Sequence, residues 1–493
     1  MTKLTIYLNG FVIDGDDSYP FLQFDGTCDL TLTNRNIEHP DDSHYLDSSG
    51  DLAIELSETG RIQNCKGDDG AVIYFEYINN AKITLQNIVF RDNVAEFGGS
   101  VVYAGGLNCE LTAKGCVFER NGSLWTGGGA INLYDSSKCN ISYCEFSGNH
   151  GLDFGGALYA GADNMINISH CLFENNFASQ NGGAVHVGDN TNLQVNNTVF
   201  SSNEAGVQGG AIWQRDSVEG KIGTGVLKIE NCKFDSNSAY EFGGAVQTKD
   251  INEIVINNSD FMRNESDTGG AVSINNTKAT LKSCVFSYNK ADSYGGAVYL
   301  DNPLDTVISG GSTRIEKNKA GTSGGAVFVV NSGTFAIDGA PFTDNTDETK
   351  NTAPIGKDIS LLDDSTIMVA GNLGTNVYDV AKYASRNHRP GVITSGLSGK
   401  GTKENFKSSE GYAVIINSNN EAELASADKA TSQSNGGSGN MEEQGRCDGG
   451  TIVDYKVPKT GDEGNPMLWL GCVLAGSVMI AVSVYAGKRK KNA

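Results

Sequence analysis

Proline is scarce in this chain, at 8 in 493 residues, and charged residues make up only 19%. Collagen-like and proline-rich disordered architectures need far more proline, so both are excluded. Basic residues are in deficit, 37 against 59 acids for a net charge of −22. A nucleic-acid partner is excluded on that ground, because neutralising phosphate requires a basic face. Cysteine is sparse for the length, with 11 residues and no Cys-x-x-Cys pair, so a disulfide scaffold does not follow. The six histidines are scattered without ligand-like spacing, and nothing calls for a metal or a cofactor. No helical periodicity of 3.6 runs anywhere before residue 460. What is abundant is glycine, at 62, and asparagine, at 48, beside 39% hydrophobic residues. That is a turn-rich composition with ample material for a core.

The turns recur at a fixed interval. A Gly-Gly doublet followed by a small and then an aliphatic residue stands at Gly98, Gly128, Gly155, Gly182, Gly209, Gly243, Gly269, Gly295 and Gly324. Most spacings fall between 26 and 30, and the single 34 contains a glycine-rich insertion around Asp216–Gly225. A second beat, Phe-x-x-Asn, falls between the doublets. It supplies Asn93, Asn121, Asn149, Asn176, Asn203, Asn237, Asn264 and Asn289, then Asn318 after Ile315, and closes with Asn345 after Phe342.

Between these punctuation marks the apolar period is two, as in Ile83/Leu85, Ile166/Ile168 and Leu227/Ile229, which predicts strands. Strands of four to six residues turning at fixed offsets stack coil on coil, with like side chains above like at ~4.8 Å. The expected fold is all-β, a right-handed parallel β-helix. Valine, isoleucine and phenylalanine fill its core, and the asparagines pass amide hydrogen bonds from coil to coil. Stacking also predicts the neighbours Arg91 with Glu119, Asp92 with Arg120, and Lys233 with Asp260.

The Gly-Gly-Ala-Ile and Phe-x-x-Asn pair resembles the repeat of chlamydial polymorphic outer membrane proteins, and of bacterial right-handed β-helix surface proteins generally. The resemblance covers about residues 60–346 and implies the fold more than the function. The outer-membrane barrel of that family has no counterpart in the sequence, so its export route is not carried over.

Five segments follow: irregular N-terminal coils at 1–65, regular repeats at 66–346, a terminal coil and cap at 347–424, a flexible spacer at 425–456, and a tail at 457–493. The tail holds Val457-Pro458-Lys459-Thr460-Gly461, then 21 uncharged residues from Met467 to Gly487, then Lys488-Arg489-Lys490-Lys491. As a helix the uncharged run spans about 31 Å, enough for one transmembrane crossing. The basic run would keep the terminus on the cytoplasmic side. Pentapeptide, apolar span and basic stop together resemble the cell-wall sorting signal of Gram-positive surface proteins, Leu-Pro-x-Thr-Gly. Val457 departs from its first position, which bears on which sortase acts. The resemblance implies cleavage between Thr460 and Gly461 and transfer of the Thr460 carboxyl through a thioester to an amine of the peptidoglycan precursor. The chain would be the sortase's substrate, linked to peptidoglycan at the cell surface and held in the membrane only before processing. Such a signal presupposes export. Met1–Ile6 leads straight into a strand pattern, so the expectation is an export leader upstream of it, with unconventional export as the alternative.

The third residue after each doublet is expected to face outward: Val102, Asn132, Tyr159, His186, Trp213, Gln247, Ser273, Tyr299, Phe328. Tyr159, His186 and Trp213 form an aromatic stripe that could stack on sugar rings or a partner protein, or simply on itself to shield the sheet. Glu96 and Asp153 share an offset two coils apart and are the candidate carboxylate pair for an enzyme. Asp14, Asp16 and Asp17 form an acidic turn that is either solvated or a calcium ligand set. Cys116, Cys144, Cys171, Cys232 and Cys284 recur at one inward position, as free buried thiols in preference to disulfides. The expected function is that of a wall-anchored adhesin or host- or glycan-binding protein with no catalytic residue of its own. The alternative is a surface polysaccharide lyase or glycoside hydrolase on the same scaffold.

Overall fold

The computed structural model describes residues 2–8, 10–16, 20–24, 26–34, 44–46, 52–54, 60–75, 77–216, 221–309, 311–331, 333–339, 349–383 and 391–426. The chain divides into a unit of Met1–Gly437 and one of Ser438–Ala493, and every described residue lies in the first. The spacer, the pentapeptide 457–461 and the apolar span 467–487 fall outside the described residues. Within them, no helix is long and apolar enough to cross a membrane.

One coil shows the plan. Lys82–Gln86, Val89–Arg91, Val94–Phe97 and Val102–Ala104 each join a different sheet, numbered I to IV in that order, of 14, 11, 10 and 14 strands. Neighbouring coils pair in parallel and nearly in register, as Ile83 with Leu111 and Phe90 with Phe118. This is a β-solenoid. Strands in sheet I alternate, with Ile83 and Leu85 buried and the residues between them turned toward solvent. Strands in sheet IV do not alternate: Val185, His186 and Val187 are all buried.

The corners explain why the strands are short. In Phe-x-x-Asn the residue before the asparagine takes positive φ, at Arg120 (51°) and Ser202 (54°) among others. The chain thereby turns and aims the asparagine inward. In the doublet, Gly155 has φ +59°, and a Cβ on Gly156 would lie 2.1 Å from the Gly183 carbonyl oxygen of the next coil. The first glycine is required by torsion and the second by contact.

Behind the corner the phenylalanines from Phe90 to Phe286 stack with ring centroids 4.4–5.2 Å apart, all fully buried. The asparagines run beside them as a closed ladder. Asn149 Nδ2 donates to Phe118 O of the coil before (2.8 Å) and to Asn176 Oδ1 of the coil after (2.9 Å). Its backbone N–H donates to the same Oδ1 at 3.0 Å. Every polar group of the side chain is thus used, which a buried amide requires. The ladder runs from Asn93 to Asn318, but its next rung is Asn351, not Asn345, which lies outside the described residues. The coil here is longer, so a motif that matches by letters misses by register. Asn351 then donates to Asp358 Oδ1 (3.0 Å), and Asp358 Oδ2 accepts the Asp379 N–H (2.9 Å). An acceptor-only carboxylate ends a chain of amides without leaving a donor unused.

Ion pairs confirm the register at the surface. Arg91 Nε donates to Glu119 Oε2 at 2.7 Å, and Arg120 grips both oxygens of Asp92 at 2.8 and 2.9 Å. Lys233 and Asp260 are register partners, but the Lys233 ammonium turns to Asp235 at 3.6 Å. At the C-terminal end, Ile359–Leu362, Thr366–Val369, Tyr378–Tyr383, Thr394–Ser395 and Phe406–Lys407 prolong sheets I and IV. The antiparallel hairpin Ala413–Ile416/Ala422–Ala425 then bonds to the last coil through Ile393 N to Ala422 O (2.9 Å) and Leu424 N to Gly391 O (3.0 Å).

Candidate functional site

The aromatic stripe exists as a column but is not open. Tyr159, His186 and Trp213 are direct register partners, with ring centroids 5.1 and 4.4 Å apart. His186 and Trp213 are only 6% and 8% exposed, and Tyr159 is half-buried. The cover comes from the residue just before the doublets at Gly155, Gly209, Gly295 and Gly324, which folds back across the face of sheet IV. Phe154 packs on His186 at 4.6 Å, and Trp213 Nε1 donates to Gln208 Oε1 at 3.0 Å. Farther along, Tyr294 packs on Phe328 (4.7 Å) and Ser323 Oγ bonds Ser360 Oγ (2.7 Å). The outward-facing row of sheet IV is therefore a second, external core, and of the two readings of the stripe the shielding one holds: the rings are not open to a sugar. Burial also drives the His186 imidazole down to about 3, so it is neutral in the seam. The row also begins differently from the count. Tyr103, not Val102, is the partner of Asn132, because the doublet Gly98-Gly99 stands one register position ahead of Gly128-Gly129.

An extra residue in the strand Gly122–Thr126 makes the exposed site the repeat count did not find. Sheet III has a register shift between Ala95 and Phe97, where Val94–Phe97 pairs with Gly122–Thr126. Leu124 and Trp125 at the bulge and Phe97 beside it are 47%, 56% and 43% exposed, and the two rings stack at 6.5 Å and 24°. The available signal was the Gly98-to-Gly128 spacing of 30 in a series whose mode is 27. Bulges commonly re-aim side chains in this way. The result is an aromatic platform beside the exposed acid Glu96.

Glu96 and Asp153 are not brought together as a pair. The coil bearing Trp125 lies between them, and the Asp153 carboxylate accepts from Gln180 Nε2 (2.9 Å), on the side away from Glu96. Burial raises the Asp153 carboxyl above its usual range, and the Gln180 bond partly opposes this. In the acidic turn, Asp14 accepts from Gln63 Nε2 at 2.9 Å and from Asn64 Nδ2 at 3.1 and 3.2 Å. Those amides, Gln63 foremost, hold its carboxyl below the usual range. Asp16 is described and Asp17 is not, and no group of three or more metal-ligating side chains occurs among the described residues.

The nine described cysteines are free and buried. Their position is polar as well as apolar. Cys144 Sγ accepts the Cys116 N–H (3.4 Å), Cys171 Sγ accepts the Cys144 N–H (3.5 Å), and Thr198 Oγ1 takes the same role for Cys171 (3.3 Å). A small side chain with one acceptor fits, which accounts for Cys, Ser and Thr alternating there. Burial pushes the Cys116 and Cys144 thiols well above their ordinary value, which makes them poor nucleophiles.

Comparison with known families agrees with this geometry. Residues 16–220 match the family model of the right-handed β-helix region. Residues 283–301 match the Chlamydia polymorphic membrane protein repeat, a stretch that contains Phe286, Asn289 and the doublet Gly295-Gly296. The chain is a right-handed β-helix with repeats of that type. No curated protein and no solved structure matched it.

Proposed function

We propose that this right-handed β-helix is a surface protein joined covalently to peptidoglycan by a sortase, and that it works there as a binding scaffold, an adhesin for host or glycan. The observation that carries the reading is the order of the tail. Val457–Gly461, the uncharged run Met467–Gly487 and Lys488–Lys491 follow one another as a cell-wall sorting signal requires. The polymorphic-membrane-protein repeat supports display at a membrane, since the family it matches is one of membrane proteins. The binding role draws support from the exposed pair Phe97 and Trp125. An aromatic face recognises the C–H face of a sugar, and a neighbouring carboxylate such as Glu96 accepts from hydroxyls.

Two measurements test it. Muramidase digestion of walls from the native host should release the chain ending at Thr460 and bonded to a peptidoglycan amine, and Thr460→Ala should abolish that product. A chain that keeps Lys488–Lys491 in the membrane fraction would sink the anchoring step. For the rod, a glycan array beside a reducing-sugar release assay separates binding from hydrolysis. Binding lost on Trp125→Ala with no sugar released supports the adhesin. Turnover that disappears with Glu96→Gln or Asp153→Asn replaces it with the glycoside hydrolase.

A further inference from the structure

Four buried oxygens at one corner of the rod have no hydrogen-bond partner among the described residues. Gln214 and Asp216 lie two residues apart where sheet IV turns toward sheet I, and Thr248 and Asp250 stand beside them in the next coil. Alternation puts all four side chains on the inner face. Gln214 and Thr248 are 0% exposed and the two acids 3%. Gln214 Oε1, Thr248 Oγ1, Asp216 Oδ2 and Asp250 Oδ2 are the unbonded atoms. The other polar atoms of the amide and the acids are engaged. Gln214 Nε2 donates to Thr191 O (2.6 Å), Asp216 Oδ1 accepts the Asn190 N–H, and Asp250 Oδ1 accepts from Asn276 Nδ2 (2.7 Å). Burial raises the Asp216 carboxyl above its usual range; the backbone N–H groups of Asn190 and Gly225 oppose this, and the negative charges of Asp189 and Asp250 add to it. The Gly225 N–H lies near the carboxylate without closing a bond of ordinary geometry on Oδ2. Lys249, between Thr248 and Asp250, is on the other face of the strand, and its charge acts on Asp301.

We propose that this corner is a calcium site, with Asp216 and Asp250 as its charged ligands and Gln214 Oε1 and Thr248 Oγ1 as neutral ones. Two carboxylates fall short of the three acid, histidine or cysteine side chains that mark a metal cluster, and the rest of the shell is amide and hydroxyl oxygen. Ca²⁺ takes about six to eight oxygens and accepts such mixed shells, whereas Mg²⁺ keeps several waters that a closed corner excludes. Carboxylates buried on neighbouring coils, ~4.8 Å apart along the axis, need a proton or a cation between them. Neither acid bonds the other through its free oxygen, so no shared proton joins them, and a divalent ion balances both charges. The glycine-rich insertion closes the corner. Gly223 N donates to Asp250 O (2.7 Å), and a Cβ on Gly223 would fall 1.7 Å from Asp216 Oδ2, so this one residue touches both acids. A Cβ on Gly225 would fall 3.0 Å from Gln214 Nε2 and 3.4 Å from Asp216 Oδ2. The ion ties the insertion to two successive coils, a role independent of the tail and of the Phe97 and Trp125 platform.

The test uses the purified full chain, stripped with EGTA and titrated with calcium chloride in a calorimeter. The expected result is a single Ca²⁺ per chain and a melting temperature that rises with calcium concentration. Asp216→Asn and Asp250→Asn keep the shape and remove one charge each. Either should weaken binding by about tenfold or more and flatten the rise in melting temperature. Terbium locates the ion even if those variants fail to fold. Trp213 immediately precedes Gln214. Tb³⁺ emission excited through tryptophan should therefore appear in the wild type, fall as calcium displaces the terbium, and vanish in Trp213→Phe while calcium still binds. A wild-type chain that binds no calcium overturns the proposal. So does calcium binding untouched by both acid variants, or terbium emission that survives Trp213→Phe.

Discussion

The asparagine corner and the seam outside sheet IV are both buried columns with one residue per coil, yet only the first repeats its residue. At the corner, the side chains of Asn121, Asn149, Asn176 and Asn203 each use one oxygen and two amide hydrogens in the same four bonds, two accepted and two donated. No other side chain offers that set at that size, so identity is fixed. In the seam the sequence runs Tyr159, His186, Trp213, Gln247, Ser273, Tyr299, Phe328. There the constraint is the joint volume of the column and its cover: Phe154 against His186, Gln208 against Trp213, Ser323 against Ser360. Hydrogen-bond closure makes a column uniform, whereas packing against a variable cover leaves it free to vary.

The largest effect should come from breaking a rung. Asn176→Ala removes the acceptor of the Asn149 N–H and of one Asn149 Nδ2 hydrogen, and the side-chain donor to the Phe146 carbonyl, all buried. Each buried group left unmade costs ~1–3 kcal/mol, so about 3 kcal/mol or more should be lost in urea unfolding. Trp213→Phe, which keeps most of the volume but drops the bond to Gln208, should lose only about 1 kcal/mol. Equal losses at the two sites would remove the distinction between the columns.

Acid should act on the seam and spare the corner, which has no titratable rung before Asp358. His186 has a folded value of about 3, against an ordinary ~6.5 in the unfolded chain. The unfolded state binds the proton first, so the contribution of neutral His186 is intact above ~6.5 and is lost as pH falls toward about 3. The full loss is of the order of 4–5 kcal/mol at ~1.4 kcal/mol per unit. Buried carboxyls such as Asp153 and Asp301 are shifted upward and oppose it, so the clean readout is a difference. His186→Phe should flatten the fall in stability between pH 6 and 4 relative to wild type. Parallel curves for the two proteins would show that His186 is not the group lost.

The same distinction decides what could be read in the amino acids. Parallel coils, the phenylalanine stack, the asparagine ladder and two of three ion pairs were legible, because each is a repeated residue at a repeated spacing. The cover over Tyr159, His186 and Trp213 was not, because it comes from a position whose residue changes at every coil. Counting from the doublets also fails wherever the doublet slips by one position or a coil carries extra residues. It placed Val102 where Tyr103 stands, took Asn345 for Asn351, and passed over the bulge that exposes Phe97 and Trp125. The meeting of Gln214 and Asp216 with Thr248 and Asp250 shows only once the register across the longest spacing is known.

A smaller effect of opposite sign tests whether the corner is tuned as a whole or only at its asparagine. Ser202 precedes Asn203 with φ 54°, a torsion that costs an L-residue ~1–2 kcal/mol and glycine almost nothing. The equivalent residue two coils earlier, Gly148 at φ 62°, already uses glycine. Glycine loses some of that advantage through the greater freedom of the unfolded chain, ~0.5–1 kcal/mol. Ser202→Gly should therefore stabilise the rod by about 0.5–1 kcal/mol, seen as a higher urea midpoint with unchanged slope. A loss of stability would mean that the Ser202 side chain contributes a contact worth more than the strain. The corner would then be held by more than its ladder.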